Sequence, residues 1–143
     1  MKRWFLSCLT LLLAGAAWAD DDKVVDFNRL PEKAQQLVIT HFDREQVVLV
    51  KQEREWFGSL YEVKFADGSS VDFLDNGEWK EIDCGRNAVP DALVPAQILQ
   101  QVKSRFGGSK VVKIERDRRK YEVELDNDTD LTFDGSFNLV DLD

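Results

Sequence analysis

Tyr61-Glu62-Val63-Lys64-Phe65 decides the fold, because it recurs as Tyr121-Glu122-Val123-Glu124-Leu125. In both stretches apolar and charged residues alternate, which is the period of a β-strand with one buried face. Leu30-Pro31 likewise recurs as Val94-Pro95. The offset is 64 residues for this second motif and 60 for the first, so one gap of four residues absorbs the difference. We interpret the chain as an internal duplication.

The N-terminus has the pattern of an export signal. Lys2 and Arg3 precede an apolar run over residues 5–13, and Ala17-Trp18-Ala19 offers a cleavage site between small residues. The apolar run is shorter than the roughly 20 residues that a membrane-spanning helix needs. We therefore expect residues 1–19 to be a signal peptide, cut after Ala19, that delivers the chain to the periplasm or outside the cell.

The remaining chain is strongly acidic. The whole sequence has 19 Lys and Arg against 27 Asp and Glu, and two of the basic residues fall in the expected signal peptide. Nucleic acids and anionic lipid surfaces repel such a charge, so we expect no nucleic-acid partner and no membrane insertion after signal cleavage.

One cysteine, Cys84, follows the expected signal peptide, so no internal disulfide is expected. It lies between the two copies, beside Gly85. A lone thiol can pair with another chain, but a buried cysteine acting as a small apolar side chain is the favoured interpretation.

Each copy opens with the pattern of an amphipathic helix. A proline, whose fixed φ suits the first turn, begins both patterns at Pro31 and Pro95. Apolar residues then recur at helical spacing: Ala34, Val38 and Phe42 in the first copy, and Ile98, Val102 and Phe106 in the second. Gly107-Gly108 predicts the end of the second helix. We expect helices over residues 31–42 and 95–106.

Four strand patterns follow each helix. The first are residues 46–52 and 110–116, in which Val48 and Val50 correspond to Val112 and Ile114 on the face expected to be buried. Leu49 and Lys113 lie between them on the more polar face. The Tyr-Glu-Val strands come next, followed by hairpin turns at Asp67-Gly68 and Asn127-Asp128. The third strands carry Val71 and Phe73 or Leu131 and Phe133, and the fourth carry Trp79 or Leu139.

These patterns predict an α+β fold. Each repeat would be one helix plus a four-stranded antiparallel sheet, and the two together would share a sheet of about eight strands with both helices on one face. The expected organisation is a signal peptide (1–19), an N-terminal tether (20–29) that begins as a solvated tail, repeat 1 (30–83), a linker (84–93) and repeat 2 (94–143). A repeat of about 50 residues buries too little surface to be stable alone, so the repeats should form one body.

The sheet face without helices is expected to be open, solvated and polar. The residues predicted to line it are Glu62, Lys64, Asp72, Glu122, Glu124, Asp130 and Thr132. Trp56 and Phe57 lie within the four-residue gap and either pack back onto the sheet edge or stay exposed as an anchor for a partner. The candidate partner-binding residues are therefore Trp56, Phe57, Glu62, Lys64, Asp72, Glu122 and Glu124.

No catalytic arrangement stands out in the sequence. His41 is the only histidine and lies at a helix end where the other copy has Arg105, so it is expected to serve the helix C-terminus. Glu62 and Glu122 could act as an acid and base pair, but a solvated face is the favoured interpretation. We expect no enzymatic activity and no cofactor.

A possible ion site is the segment from Asp126 to Asp130. Asp126, Asp128 and Asp130 alternate like the opening of a calcium loop. An EF-hand would next need glycine and glutamate where Leu131 and Phe137 stand, and the segment corresponds to the Asp67-Gly68 turn. A hairpin turn is the favoured interpretation, with a calcium site as the alternative.

In order along the chain, these motifs resemble the PepSY-like, beta-lactamase-inhibitor-like periplasmic proteins, over nearly all of the sequence after the expected signal peptide. The motifs that carry the resemblance are Leu30-Pro31, Tyr61-Glu62-Val63, residues 73–79 (FLDNGEW), Val89-Pro90, Val94-Pro95, Tyr121-Glu122-Val123 and Phe133-Asp134. The resemblance implies a periplasmic or secreted tandem of helix-plus-sheet repeats whose sheet face grips another protein. It also implies inhibition of peptidases or, in the namesake inhibitor, of beta-lactamases.

Two functions are left open by the sequence. The first is a non-catalytic binding module that inhibits a peptidase or other envelope protein through the open sheet face. The alternative is an envelope sensor of a small ligand or ion that uses the groove between the repeats or the segment from Asp126 to Asp130. Because open sheet edges can pair between chains, the protein is expected to be a monomer or a weak dimer.

Overall fold

The computed structural model describes residues 22–143, so the expected signal peptide and the first two residues of the tether lie outside the described residues. Two α-helices are present in the described part, α1 (Glu32–His41) and α2 (Ala96–Phe106). The strands there are β1 (Asp22–Val24), β2 (Val47–Glu55), β3 (Gly58–Phe65), β4 (Ser70–Leu74), β5 (Trp79–Asp83), β6 (Val111–Arg116), β7 (Lys120–Leu125), β8 (Asp130–Asp134) and β9 (Leu139–Leu142).

All these strands form one antiparallel sheet of nine strands in chain order. Helix α1 lies between β1 and β2, and α2 lies between β5 and β6. Ala34 and Val38 of α1 join Ile98 and Val102 of α2 in one hydrophobic core with alternate strand residues. The α+β fold with both helices on one face of an antiparallel sheet is thus as predicted. Neither helix of the described segment has the length and apolar character needed to cross a membrane.

Prolines mark the helix starts, although one residue outside the helices. Pro31 and Pro95 each have φ −52° with extended ψ values, and α1 and α2 begin at the next residue. Gly107 ends α2 with φ +54°, the left-handed conformation expected of glycine there.

A β-bulge changes the expected alternation in the first strand of each half. The register shifts between Val47 and Leu49 in β2, and between Val111 and Lys113 in β6. Val48 therefore does not point into the core with Val50, as the sequence pattern predicted, but is 62% exposed. The extra residue of a bulge is left out of the alternation, which explains the error.

The ninth strand comes from the segment expected to be a tail and tether. Asp22 and Lys23 are not a solvated tail, because they pair with Glu53 and Gln52 of β2. Phe27, three residues beyond β1, is buried in the core, and the Arg44 guanidinium carbon lies 4.3 Å from the centre of its ring. Strand pairing joins residues distant in the chain, so the local pattern of the three residues Asp22 to Val24 could not predict β1.

The two halves of the sheet pair in matching register. Tyr61 opposes Phe73 as Tyr121 opposes Phe133. Phe73 opposes Trp79, and Phe133 opposes Leu139, with a register shift beside each pair. Equivalent positions in the halves can therefore be compared side chain by side chain.

Candidate functional site: an acidic sheet face

The strand register defines rows of side chains on the open face, since directly paired residues point to the same face of a sheet. One row crosses all nine strands: Val24, Lys51, Glu62, Asp72, Glu81, Glu115, Glu122, Thr132 and Asp141. The consecutive members from β3 to β7 are all acidic. We call Glu62, Asp72, Glu81, Glu115 and Glu122 the carboxylate row. Neighbours in such a row have Cβ atoms about 5 Å apart, so their like charges repel.

A second row runs beside it and mixes both charges. Its members are Leu49, Lys64, Ser70, Asp83, Lys113, Glu124 and Asp130. Every residue that the sequence predicted for the open face lies in one of these two rows.

The face is not uniformly solvated, contrary to the expectation from sequence. Glu122 is 6% exposed, Asp130 3% and Lys113 8%. Each lies on an interior strand of the sheet, with a neighbouring strand on both sides. Charged groups are therefore packed against one another on this face, which raises the free-energy cost of their charges.

Burial and repulsion perturb the carboxyl groups on the β2 to β5 side of the face. Burial, with the charges of Glu81 and Glu62 adding to it, raises the pKa of Asp72 to about 8. Burial also raises the pKa of Glu81, despite Lys113, and that of Glu53, which Asp22 raises further. The Asp72 Oδ1 atom is buried and accepts no hydrogen bond within residues 22–143. This side of the face carries more negative charge than its surroundings neutralise.

Lysines neutralise the β5 to β7 part of the carboxylate row. Lys80 Nζ lies 3.3 Å from Glu115 Oε2, and Lys113 Nζ lies 4.0 Å from Glu81 Oε1. The third lysine, Lys120, forms an ion pair with the buried Glu122.

Glu62 and Asp72, by contrast, form no ion pair within the described residues. A cavity of about 110 Å³ adjoins these two carboxylates and is lined by Glu53, Leu60, Tyr61, Glu62 and Asp72. Lys51 opposes Glu62 in the row, and Lys80 partly offsets the rise in the pKa of Asp72, but neither lysine lies within ion-pair distance of these carboxylates. The two carboxylates can therefore attract a further cation, such as an ammonium or guanidinium group. As placed, no three acidic, cysteine or histidine side chains in residues 22–143 converge closely enough to hold a metal ion.

The β2–β3 hairpin ends in an exposed aromatic pair. Glu55 pairs with Gly58, so Trp56 and Phe57 form the two-residue tip. Trp56 is 94% exposed and Phe57 51%, and their rings meet edge to face with centroids 5.4 Å apart. The sequence left open whether these two rings pack back onto the sheet edge or stay exposed, and in the structure they are exposed.

The segment from Asp126 to Asp130 forms the β7–β8 turn. Asp126 Oδ1 accepts a hydrogen bond from the Lys110 N–H at 3.1 Å, and Asp128 has φ +67° in the turn itself. Asp130 belongs to the sheet and opposes Glu124. The three aspartates are therefore directed to different surroundings in this structure.

The remaining candidates for chemistry lie away from the open face. His41 is the last residue of α1, and Cys84 is buried in the core, where burial raises the pKa of its thiol to about 11. A groove of about 520 Å³ lies between β5, β6 and the start of α2, lined in part by Trp79, Leu99 and Arg116. Arg116 is already engaged there, 3.8 Å above the Trp79 ring.

Glu81 and Glu115 are members of the carboxylate row that sequence reasoning missed. Glu115 could have been found, because it alternates with Ile114 in the strand predicted over residues 110–116. Glu81 was hidden by the bulge at Lys80, which shifts the alternation after Trp79.

The chain resembles proteins of known structure over most of its length. A "putative periplasmic protein" of Bacteroides vulgatus is 42% identical, with a TM-score of 0.84 over 87% of this chain and 98% of that chain. A "putative calcium-regulated periplasmic protein" of Bacteroides thetaiotaomicron is 44% identical, with a TM-score of 0.83 over the same shares. A third, from B. vulgatus and of unknown function, is 38% identical, with a TM-score of 0.80 over 85% of this chain and 98% of that one.

Among curated proteins, none matches this chain. Residues 59–141 match the family described as "putative beta-lactamase-inhibitor-like, PepSY-like". This match covers more than half of the chain, and the related structures extend the similarity to nearly all of the described residues. The chain belongs to the beta-lactamase-inhibitor-like, PepSY-like family.

Proposed function

We propose that this protein is a non-catalytic binding protein of the periplasm. Its open sheet face binds a positively charged segment of another envelope protein, such as a peptidase, and inhibits it. The observation that carries the proposal is the carboxylate row, in which Glu62 and Asp72 form no ion pair with a described residue. Electrostatic complementarity of this kind favours one partner over others.

A lysine or arginine of the partner would bind beside Glu62 and Asp72. Its charge would replace the repulsion that, with burial, raises the pKa of Asp72 to about 8. Asp72 would then lose its proton on binding, so the affinity should depend on pH. The exposed Trp56 would supply an apolar anchor near the same end of the sheet, and interface hot spots favour tryptophan.

A catalytic role has less support than binding. Neither row on the open face contains a histidine or a cysteine. His41 lies on α1, and Cys84 is buried in the core. A nucleophile with an adjacent base, which covalent catalysis needs, is therefore not part of this face.

Export and duplication belong to the same proposal. The expected signal peptide and the names of the related proteins support a periplasmic location. We further propose that residues 30–83 and 94–143 arose as two copies of one unit. The matching register of Tyr61 with Phe73 and of Tyr121 with Phe133 supports this.

An ion sensor is the second candidate, and one relative favours it by being named "calcium-regulated". In this chain the ion would be expected at the cavity lined by Glu53, Glu62 and Asp72, since calcium prefers several carboxylate oxygens. Those side chains would have to move together to coordinate it. Calcium would then raise the melting temperature of the wild type but not of a Glu62→Gln, Asp72→Asn double variant.

The first test is a pull-down from periplasmic extract with residues 20–143 as bait. The double variant Glu62→Gln, Asp72→Asn should lose the partner because the unneutralised charge is gone. A matched control, Glu32→Gln with Glu45→Gln, removes two exposed charges elsewhere and should keep it. A partner retained equally by both variants would remove the open face as the binding surface.

A further inference from the structure

Strands β1, β5 and β9 hold the same position in the fold. Ile82 of β5 opposes Val71, and Leu142 of β9 opposes the equivalent residue, Leu131. The Val25 N–H, just after β1, donates to Val50 O at 2.9 Å, and Val50 corresponds to Ile114, which opposes Ile82. The shared position carries an aliphatic residue followed by aspartate in all three: Val25-Asp26, Ile82-Asp83 and Leu142-Asp143.

Only β5 of these three is paired on both sides within the described residues. It has β4 on one edge and β6 on the other, whereas β9 pairs with β8 alone. The outer edge of β9 is therefore the same edge on which β5 carries β6. Strand β6 is therefore an example, within this chain, of a strand that pairs with this edge.

The outer edge of β9 is suited to pairing. The Asp143 N–H and C=O both bond to Asp130, so by the alternation of a strand the outward groups belong to Leu142. The Leu142 side chain is 52% exposed, while Ile82 is completely buried. Strand β9 has no proline or lysine to block pairing, as protected edges often do. The Leu142 N–H donates to the Asp141 carboxylate at 3.0 Å.

The residues of β6 indicate what kind of segment would pair with the outer edge of β9. On β5, Ile82 opposes Ile114 and Asp83 opposes Lys113. On β9, Leu142 would face an aliphatic residue in the same way, and Asp143 would face a lysine or arginine. A second copy of β9 is a poor occupant, because Asp141 and Asp143 of the two chains would be brought close together.

We propose that the outer edge of β9 binds an extended segment in which basic and aliphatic residues alternate. The segment adds to the sheet as an antiparallel strand, in the register that β6 has on β5. Main-chain hydrogen bonds supply the affinity, and the Asp143 and Leu142 positions select the sequence. This binding is independent of the carboxylate row, so it stands or falls separately from the proposed function.

The probe is a labelled, end-blocked peptide of residues 110–116 carrying Glu115→Lys (KVVKIKR), because Glu115 itself would oppose Asp141 in this register. It is titrated against residues 20–143 by fluorescence anisotropy. Leu142→Lys places a repelling charge on the β9 edge, and Val24→Lys places the same charge on the exposed β1 edge as a control. We expect binding to the wild type and to Val24→Lys. For Leu142→Lys we expect the affinity to fall by at least about tenfold.

Two further peptides separate strand addition from charge attraction. A peptide N-methylated at the Ile114 position cannot form the main-chain ladder, and a Lys113→Glu peptide has the wrong charge opposite Asp143; neither should bind. The Glu62→Gln, Asp72→Asn protein should bind the original peptide normally.

Equal affinity for Leu142→Lys, equal binding of the N-methylated peptide, or no binding at about 1 mM peptide would each overturn the proposal. A concentration-dependent dimer by sedimentation that Leu142→Lys abolishes, without peptide binding, would assign the edge to a second copy and overturn it too.

Discussion

The two halves of the sheet have the same strand register, but they differ in how their acidic side chains are paired with basic ones. Glu62 and Glu122 occupy equivalent positions, yet Glu122 is paired with Lys120, whereas Glu62 has no ion pair in the described chain. In the neighbouring strands, Asp72 corresponds to Thr132, so the second half has a neutral side chain where the first has a buried acid. The scaffold is the same in both halves, but the acid of the second half, Glu122, forms an ion pair while Glu62 and Asp72 of the first form none among the described residues, which is why we assign binding to the first half.

The largest expected effect tests whether the halves are one cooperative unit. Phe73→Ala and Phe133→Ala each empty a fully buried ring site and should each lower the free energy of unfolding by about 4 kcal/mol. Because both rings belong to one core, each variant should unfold in a single transition, followed by circular dichroism in urea. Two separate transitions would show that the halves fold independently.

Asp72→Asn should stabilise the protein at neutral and alkaline pH but not at acidic pH. The pKa of Asp72 is about 8 in the folded state and 3.8 for a free aspartate side chain, so between these pH values the folded state binds a proton that the unfolded state does not. The wild-type free energy of unfolding should therefore fall as pH rises from about 4 to about 8, and asparagine should recover up to about 6 kcal/mol at pH 9.

Urea denaturation of wild type and Asp72→Asn at pH 3, 6 and 9 measures this effect. Thr132→Ser, the neutral change at the equivalent position, is the control and should show the same pH profile as wild type. A pH-independent difference between wild type and Asp72→Asn would contradict the assigned cause.

Lys120→Ala should destabilise the second half. It removes the partner of Glu122, whose side chain is 8% exposed, and should cost about 2 kcal/mol. Leu60→Ala, at the equivalent place before Glu62, removes no charge and is the matched control for lost side-chain packing. Thermal melts at pH 7 compare them; a second substitution, Glu122→Gln, should restore most of the stability lost in Lys120→Ala.

Trp56→Ser should have the smallest effect on stability, below about 0.5 kcal/mol, because the ring is 94% exposed. On the proposed function it should still weaken capture of the partner, since the tip is the apolar anchor. The second half has no such tip, because only four residues separate Arg116 from its partner Tyr121, whereas eight separate the equivalent pair, Gln52 and Tyr61. Substituting Arg118, in that connection, with serine is the matched control and should leave capture unchanged.

Local periodicity predicted most of the elements but not all of them. The strand around Tyr61 and its counterpart around Tyr121 were predicted because alternation is a property of neighbouring residues. Strand β1 was missed, since its only structural signal is its pairing with β2. Val48 was assigned to the wrong environment, because a bulge depends on how two strands fit and not on one strand alone.

The sequence predicted which face of the sheet carries the candidate site, but it did not predict all of the site's residues or their burial. Glu62, Asp72 and Glu122 were expected on the open face and lie there. The burial of Glu122 and of the Asp72 Oδ1 atom was not expected, because exposure depends on side chains from neighbouring strands. Glu81 and Glu115 oppose each other only because β5 and β6 are adjacent, and α2 separates these strands in the chain.

The sequence by itself determined the two helices, the order of most strands and which residues face the core, because each follows from spacing within a few residues. Tertiary structure alone decided that five carboxylates form a continuous row and that the Asp72 Oδ1 atom is buried among them. It also decided that, within residues 22–143, β9 pairs along one edge whereas β5 pairs along both. These features arise from register between distant strands, where the free energy of a charge depends on neighbours that no local pattern specifies.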